Sequence, residues 1–334
     1  MDTRKSISVI IPTYNGRHLL QAYLPLTYAA IKNTGGNYEV IIVDDCSEDG
    51  SAGFIRAEYP EAVLIVNDEN KGFSHAYNRG IEAARFELIL LLSADVKLSI
   101  DYFEHQWKYF LAWDTFGVIG RIVDLEGDHI QEAARVPKLM GLKIKTDYCY
   151  YTHDSSNRLF TFYLPGVNAL IDAEKLKQIG GFYELFSPFF CADIELSLRA
   201  WRLKWKCHYE HSAVCHRDTV TVAKNAGQAE LVKNVYYRNW LYLHAIHLNG
   251  WALAGWYFQI TITDVLPNLF ADKTGIWESY KNLLSNRAAI KDYKERVKIL
   301  LDKNDTHITV FNVVTKIRNS VKNKKVTRFK AGHD

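Results

Sequence analysis

Short apolar runs alternate with longer segments of helical period over the first hundred residues. Ser8–Ile11, Glu39–Val43, Ala62–Val66 and Glu87–Leu92 are β-branched or aliphatic without polar alternation, as strands buried on both faces are. Apolar positions recur at helical spacing from His18 to Lys32 and from Ser74 to Arg85, so the pattern predicts βαβ units around a largely parallel sheet. Each strand ends in a polar cluster: Pro12-Thr13-Tyr14-Asn15, Asp44-Asp45, Asn67-Asp68 and Ser93-Ala94-Asp95. Open α/β sheets bind ligands beyond the carboxyl ends of their strands, so the ligand site is expected to be built from those clusters.

The pattern then changes. Gly127 to Arg158 is less regular. A second cluster opens at Leu164-Pro165-Gly166-Val167-Asn168, followed by a short helix, Asp172 to Gln178, that Gly180-Gly181 would stop. A further helix is expected from Asp193, with Asp193 as its N-cap and a Glu195–Arg199 pair one turn apart. Beyond about Thr219 the period is helical almost throughout. The expected division is therefore residues 1–220 and a helical region, 221–334.

Composition adds limits. The 334 residues are 48% hydrophobic and 24% charged, the balance of a folded globular chain. A net charge of +3 gives no ground for a nucleic-acid partner. The basic residues concentrate at the end, where Lys316, Arg318, Lys322, Lys324, Lys325, Arg328 and Lys330 run without an intervening acid. That run is a candidate contact for an anionic membrane. Five cysteines without a CxxC pair suggest neither a disulfide framework nor a zinc site, and the amino terminus reads as a strand, not a signal peptide, so a cytoplasmic location is expected. Asn239 to Thr263 holds no Asp, Glu, Lys or Arg, yet contains His244, His247, Asn249 and Gln259. It is read as an amphipathic helix, buried or interfacial, in preference to a membrane span. No GxGxxG or GxxxxGK[ST] follows any strand, which excludes the usual dinucleotide and P-loop cradles.

The ordered strings IPTYN, VDDCSEDG, NKGFSHAYNRGI, LLLSADV, LPGVNALI, GGFYELFSPFF, ADIELSLRAW and VCH resemble family 2 of the glycosyltransferases, inverting enzymes with a GT-A fold. The SADV form and the GGF…AD…LSLRAW block are similar to the rhamnosyltransferase-like branch that builds bacterial surface polysaccharides. The resemblance covers about residues 6 to 218. It implies an α/β GT-A domain with a Rossmann-like, mostly parallel sheet and a helical C-terminal extension. It also implies transfer of a hexose or deoxyhexose from a nucleotide-diphosphate sugar to a glycan or lipid-linked glycan.

On that resemblance, Pro12, Thr13, Tyr14, Asn15, Asp44 and Asp45 surround the nucleobase; a turn at a solvated strand end is the structural alternative for the two acids. Asn70, Gly72 and Phe73 form a helix-entry loop close to the donor. Ser93, Ala94 and Asp95 stand where such enzymes carry a DXD motif, with Asp95 and His216 as ligands of Mg²⁺ or Mn²⁺. Ser93 in the first acidic position makes strong metal dependence doubtful. Asp193 matches the general base, with Ala192 replacing its usual flanking acid and Glu195 as a weaker stand-in. Phe182, Phe186, Phe189, Phe190 and Trp201 are acceptor-platform or core candidates, Trp201 being read as core. The aromatic and basic C-terminal helices suit either contact with the inner face of a membrane or a homodimer. A sugar-phosphate nucleotidyltransferase and a non-catalytic nucleotide-sugar or glycan binder are the rival functions, since Ser93 and Ala192 both depart from the enzyme pattern.

Overall fold

The computed structural model describes residues 5–154, 157–188, 190–218, 229–270 and 274–330. The first half follows the predicted alternation: β1 (Ile7–Thr13), α1 (Arg17–Asn33), β2 (Tyr38–Asp44), α2 (Ser51–Glu58), β3 (Val63–Val66), α3 (Phe73–Ala83) and β4 (Leu88–Leu92). β1 pairs in parallel with β2 and β4, and β2 with β3. Successive side chains alternate between two cores. Ile10, Ile41, Ile89 and Leu91 face one, while Val9, Ile11, Val40, Leu90 and Leu92 face the other, which is why these three runs lack polar alternation; β3, expected to be buried on both faces, ends the sheet and is only half-buried.

Four more elements extend the sheet: β5 (Val96–Leu98), β6 (Thr115–Val123), β13 (Asn168–Asp172) and β14 (Lys206–Arg217). The main path runs β12-β14-β6-β13-β4-β1-β2-β3, where β12 is Leu159–Phe160. β13 is antiparallel to β4 and β6, whereas β14 runs parallel to β6, so the sheet is mixed with a parallel centre. The path leaves β1 on opposite sides towards β2 and β4. That reversal opens a crevice beyond the carboxyl ends of β1 and β4, and antiparallel β13 starts at the same edge, with Asn168 opposite Leu92.

The irregular stretch 127–158 resolves into short strands: β7 (Ile130–Glu132), β8 (Ala134–Arg135), the β9–β10 hairpin (Lys138–Met140 and Lys143–Lys145) and β11 (Tyr148–Tyr151). Helix α4 (Ala173–Gln178) starts on Asp172, whose carboxylate accepts from the Lys175 amide, and ends where Gly181 N–H reaches back to Leu176 O with Gly180 at φ 78°. Helix α5 spans Ala192–Arg202. Its cap is Cys191, in the left-handed region, so Asp193 is the second helical residue and not the N-cap expected.

The C-terminal region is helical from α6 (Ala229–His247) and α7 (Gly250–Ile260) to a last helix, Val310–Val321. It ends in a strand, Thr327–Lys330, antiparallel to β11. The basic tail is thus built into the molecule. Val310, Val313, Val314 and Ile317 are buried, Lys316 lies 5.7 Å from the Trp201 ring, Lys324 donates to Arg158 O at 2.6 Å, and Arg328 lies over Tyr148. No helix among the described residues is long and apolar enough to cross a membrane. The boundary expected near Thr219 lies outside the described residues.

Candidate active site

The polar clusters meet along the carboxyl edge of the sheet. Asp45, just past β2, is buried and organises the neighbouring loop: its Oδ1 accepts from Asn67 Nδ2 at 2.7 Å and Lys71 N at 3.2 Å, and its Oδ2 from Gly72 N at 2.7 Å. Asn67 in turn accepts from Arg79 at 3.2 Å. Asp44 accepts from Ser47 N, and Asn15, at φ 50°, exchanges hydrogen bonds with Ser47 and Glu48. These contacts fix Tyr14 as an exposed aromatic at the rim. Pro12 and Thr13 lie within β1, and Thr13 O accepts from Asp45 N at 2.8 Å, binding the first two clusters together.

Asn70, Gly72 and Phe73 form the entry to α3. Gly72 has φ 82° and ψ −177°, and a side chain there would meet Pro188 Cα and O at 3.2 Å. Asn70 Oδ1 accepts from Gly72 N, and Phe73 packs edge-on against Tyr77 and Phe182. The loop around Pro188 is held from the other side by α6, whose Asn239 donates to Phe186 O at 2.7 Å and Phe190 O at 3.0 Å. The loop entering α3 and the start of α5 are therefore positioned by one another and by the C-terminal helices.

Ser93, Ala94 and Asp95 follow β4, and Ser93 N–H donates to Val167 O. Asp95 is buried, and its Oδ2 accepts from Arg217 Nε at 3.0 Å. Tyr23 OH donates to Asp218 Oδ2 at 3.2 Å, and burial first, then the charges of Asp218 and Asp95, raise the Tyr23 pKa. The expected Asp95–His216 pair is not assembled. Successive residues of a strand face opposite ways, so Arg217 reaches Asp95 while His216 Nδ1 meets Asp124 O at 3.0 Å. Sequence reasoning missed Arg217 and Asp218, although they directly follow His216.

Whether this place suits a divalent ion is decided by its oxygens. Thr13 Oγ1, Asp44 Oδ2, Asp95 Oδ1 and Asn168 Oδ1 are all buried at the carboxyl edge without a hydrogen-bond partner. Buried polar atoms are normally paired, so this concentration marks a surface shaped for a polar ligand. No group of three or more His, Cys, Asp or Glu side chains among the described residues forms a metal cage. The fit is thus to an ion held by Asp95 Oδ1 and mostly by oxygens of a bound phosphate ester, which is how Mg²⁺ is commonly held.

Asp193 lies in the first turn of α5, its Oδ1 accepting from Ile194 N at 2.9 Å. The preceding residues Phe190 and Cys191 have φ 66° and 65°, a strained conformation for side chains of this size. Asp193 as a residue is half-buried, and its carboxyl is densely surrounded by protein. That burial, aided by the negative field of Glu132, raises its pKa to about 6 against the pull of its amide hydrogen bonds and Arg135. Glu132 is itself clamped by Arg135, whose Nε and Nη2 donate to its two carboxylate oxygens while Nη1 donates to Thr146 O at 2.9 Å. Glu132 and Arg135 sit in the segment that carried no sequence signal.

Glu195 cannot stand in for Asp193. It is fully buried, with both oxygens accepting from Arg199 at 2.9 Å and Oε1 also from His247 at 3.2 Å. Phe182, Phe186 and Trp201 are core, the Trp201 indole donating to Thr161 O and Phe162 O. Phe190 alone among the described platform candidates is exposed, set edge-on to Tyr236; Phe189 lies outside the described residues.

The family model for glycosyl transferase family 2 matches residues 8–180. An undecaprenyl-phosphate 4-deoxy-4-formamido-L-arabinose transferase of Aeromonas hydrophila subsp. hydrophila is 38% identical over 97 residues, 28% of this chain and 30% of that protein. The corresponding transferase of Shewanella sediminis is 37% identical over 95 residues, 27% and 29% of the two chains. The match therefore spans under a third of those relatives' length. Among solved structures, a mannosyltransferase from Pyrobaculum calidifontis in complex with GDP-Man and Mn²⁺ superposes with a TM-score of 0.52 at 18% identity, covering 89% of this chain and 86% of that one. Residues 1–349 of S. aureus TarS superpose with a TM-score of 0.54 at 15% identity, covering 94% and 90%. These likenesses show the fold, and the family match sets the nucleotidyltransferase alternative aside. With its mixed sheet, the reversal between β1 and β4, and a family match over more than half its length, the chain belongs to glycosyltransferase family 2 and is a glycosyltransferase of GT-A fold.

Proposed function

We propose that the enzyme moves a hexose or deoxyhexose from a nucleotide-diphosphate sugar to a hydroxyl of a glycan or lipid-linked glycan, with inversion, in the synthesis of bacterial surface polysaccharide. Thr13, Tyr14 and the Asp44–Asp45 turn would receive the nucleobase, and the Asn70–Phe73 loop would approach the donor through its backbone. Arg217 and Asp95 flank the place proposed for the diphosphate. A divalent ion bound there through Asp95 would act as a Lewis acid toward the leaving group.

The observation that carries this reading is Asp193, a half-buried residue in the first turn of α5 whose carboxyl is held near pKa 6. A base of that strength is ionised at neutral pH and matched to removing a hydroxyl proton as the oxygen attacks. It also favours a hydroxyl over a phosphate acceptor, the type named by the curated relatives. A phosphate oxygen has no such proton to lose. Its charge would meet Asp193 and Glu132, while the nearby Arg135 is already clamped to Glu132.

Incubation with a panel of nucleotide-diphosphate hexoses and deoxyhexoses, with and without a bacterial glycolipid extract, tests the reading. Acceptor-dependent release of nucleoside diphosphate from one donor is expected. Saturable donor binding with no release under either condition would instead support the non-catalytic binder.

A further inference from the structure

The charge-free stretch Asn239–Thr263 breaks at Leu248-Asn249 and does not form one long helix. Helix α7 continues through a π-type turn, Thr261–Val265, into Leu266–Phe270. One side of this rod buries Trp256, Ile260 and Val265. The opposite side leaves Trp251 93%, Phe258 69%, Ile262 46% and Leu266 43% exposed, at spacings of seven, four and four residues. The β9–β10 hairpin adds a fifth group. Gln259 donates to Met140 O at 2.8 Å and accepts from Leu142 N at 2.8 Å, so the hairpin tip is held against the rod with Met140 50% exposed.

Single exposed aliphatics are ordinary, but five large apolar side chains on one face made by two elements are not. The face extends about 22 Å, at about 1.5 Å per helical residue from 251 to 266. Its charges are one-sided. Lys138, Lys143 and Lys145 flank the hairpin tip; Lys138 is paired with Asp147 at 2.8 Å and Lys143 with Asp264 at 2.9 Å, so both neighbouring acids are occupied and the edge keeps the positive charge of Lys145. A two-fold contact between copies would bring two copies of Lys145 to one apolar seam, with Asp147 and Asp264 already paired. An anionic phospholipid surface complements both the apolar face and its basic edge.

We propose that this face docks in the plane of an anionic membrane, with Trp251, Phe258, Ile262, Leu266 and Met140 entering the headgroup boundary. The hairpin runs from the docked face toward the site: Ile144 N–H donates to His244 of α6 at 2.9 Å, and at its base Thr146 O accepts from Arg135, the ion-pair partner of Glu132. Docking would present lipid-borne hydroxyls toward the Asp193 side. The purpose assigned to the face rests on the lipid-linked reading of the acceptor, but docking itself is measurable without turnover.

The test is flotation of the full chain with vesicles of phosphatidylglycerol and phosphatidylcholine against phosphatidylcholine alone. The wild type is expected to float with the anionic vesicles, and W251E/F258E to lose at least tenfold in partitioning, with melting temperature, gel-filtration volume and nucleotide-induced stabilisation unchanged. Changing Lys145 to Gln should weaken binding most at low salt. Failure of the wild type to float, or flotation of W251E/F258E equal to wild type, would overturn the proposal. So would conversion of a dimer to a monomer by W251E/F258E without a vesicle effect, which would assign the face to a second copy. Vesicle binding by a chain that transfers no sugar would refute the proposed function and leave the docking face standing.

Discussion

Asp193 is a carboxyl whose surroundings oppose its charge. Burial lifts its pKa from the ordinary 3.8 to about 6, so between those values the folded chain holds a proton that the unfolded chain has released. Stability from this group is therefore highest at low pH and falls as pH rises through that window, a loss of order 2–3 kcal/mol by neutrality. Asp193→Asn removes the buried charge. The expected result is a melting temperature raised by a few degrees at pH 7.5 and little changed at pH 4; equal shifts at both would show that the charge is not the cause. At this scale the sequence was informative where a motif named a residue type and silent where geometry recruits one. Asp193, Asp45 and Asp95 were legible from their motifs. Glu132, lying in a segment without period, was not, and Arg217 follows the motif histidine but only the turn of β14 shows that it, not His216, faces Asp95.

Among the elements, the entry to α3 is the most constrained. Its conformation at Gly72 is essentially confined to glycine, and Pro188 stands where a methyl group would go. Gly72→Ala should cost about 1–3 kcal/mol in chemical denaturation. It should also reduce nucleotide-induced thermal stabilisation, because Asp45 holds the same amide; full stabilisation with a normal denaturation midpoint would contradict this. Runs buried on both faces made β1, β2 and β4 readable to within a residue or two, whereas the equally apolar β3 lies at the sheet edge and is only half-buried. The longest strands were not marked: β6 is interrupted by Gly117, Gly120 and Arg121, and β14 by His208, Glu210 and His211, so neither has a clean period. Both are fixed by pairing partners distant in sequence. The last strand was hidden because alternating basic residues look the same in a solvated tail as in an edge strand.

Across the molecule, the catalytic half and the C-terminal helices share a buried ionic network. Burial works to raise the Glu195 pKa, but the charge of Arg199 and the hydrogen bond from His247 overcome it and hold it below the usual range. His247 is neutral, its own pKa lowered to about 4 chiefly by burial. Its partners assign the tautomer: Nε2–H donates to Glu195, and Nδ1 accepts from Arg202 at 3.1 Å. Glu195→Ala strands Arg199 in the core and should cost about 3–5 kcal/mol. The Glu195 contribution is present above the ordinary glutamate pKa and disappears as pH falls through the lowered one, so the mutant deficit should shrink in acid. A deficit below 1 kcal/mol at pH 7.5 would show that the halves are not joined there. The sequence showed the Glu195–Arg199 spacing, but the His247 contact, 52 residues away, depends on how α6 packs on α5.

The account turns on Asp193 as the base, and the most direct measurement pairs turnover with binding in one variant. Once a donor and acceptor fraction are found, wild-type kcat should rise through about pH 6, the pKa of Asp193. Asp193→Asn should lose at least a thousandfold in acceptor-dependent nucleotide release, lack that limb, and bind the nucleoside diphosphate within about threefold of wild type. Turnover by Asp193→Asn within tenfold of wild type, with the pH limb intact, would contradict the assignment.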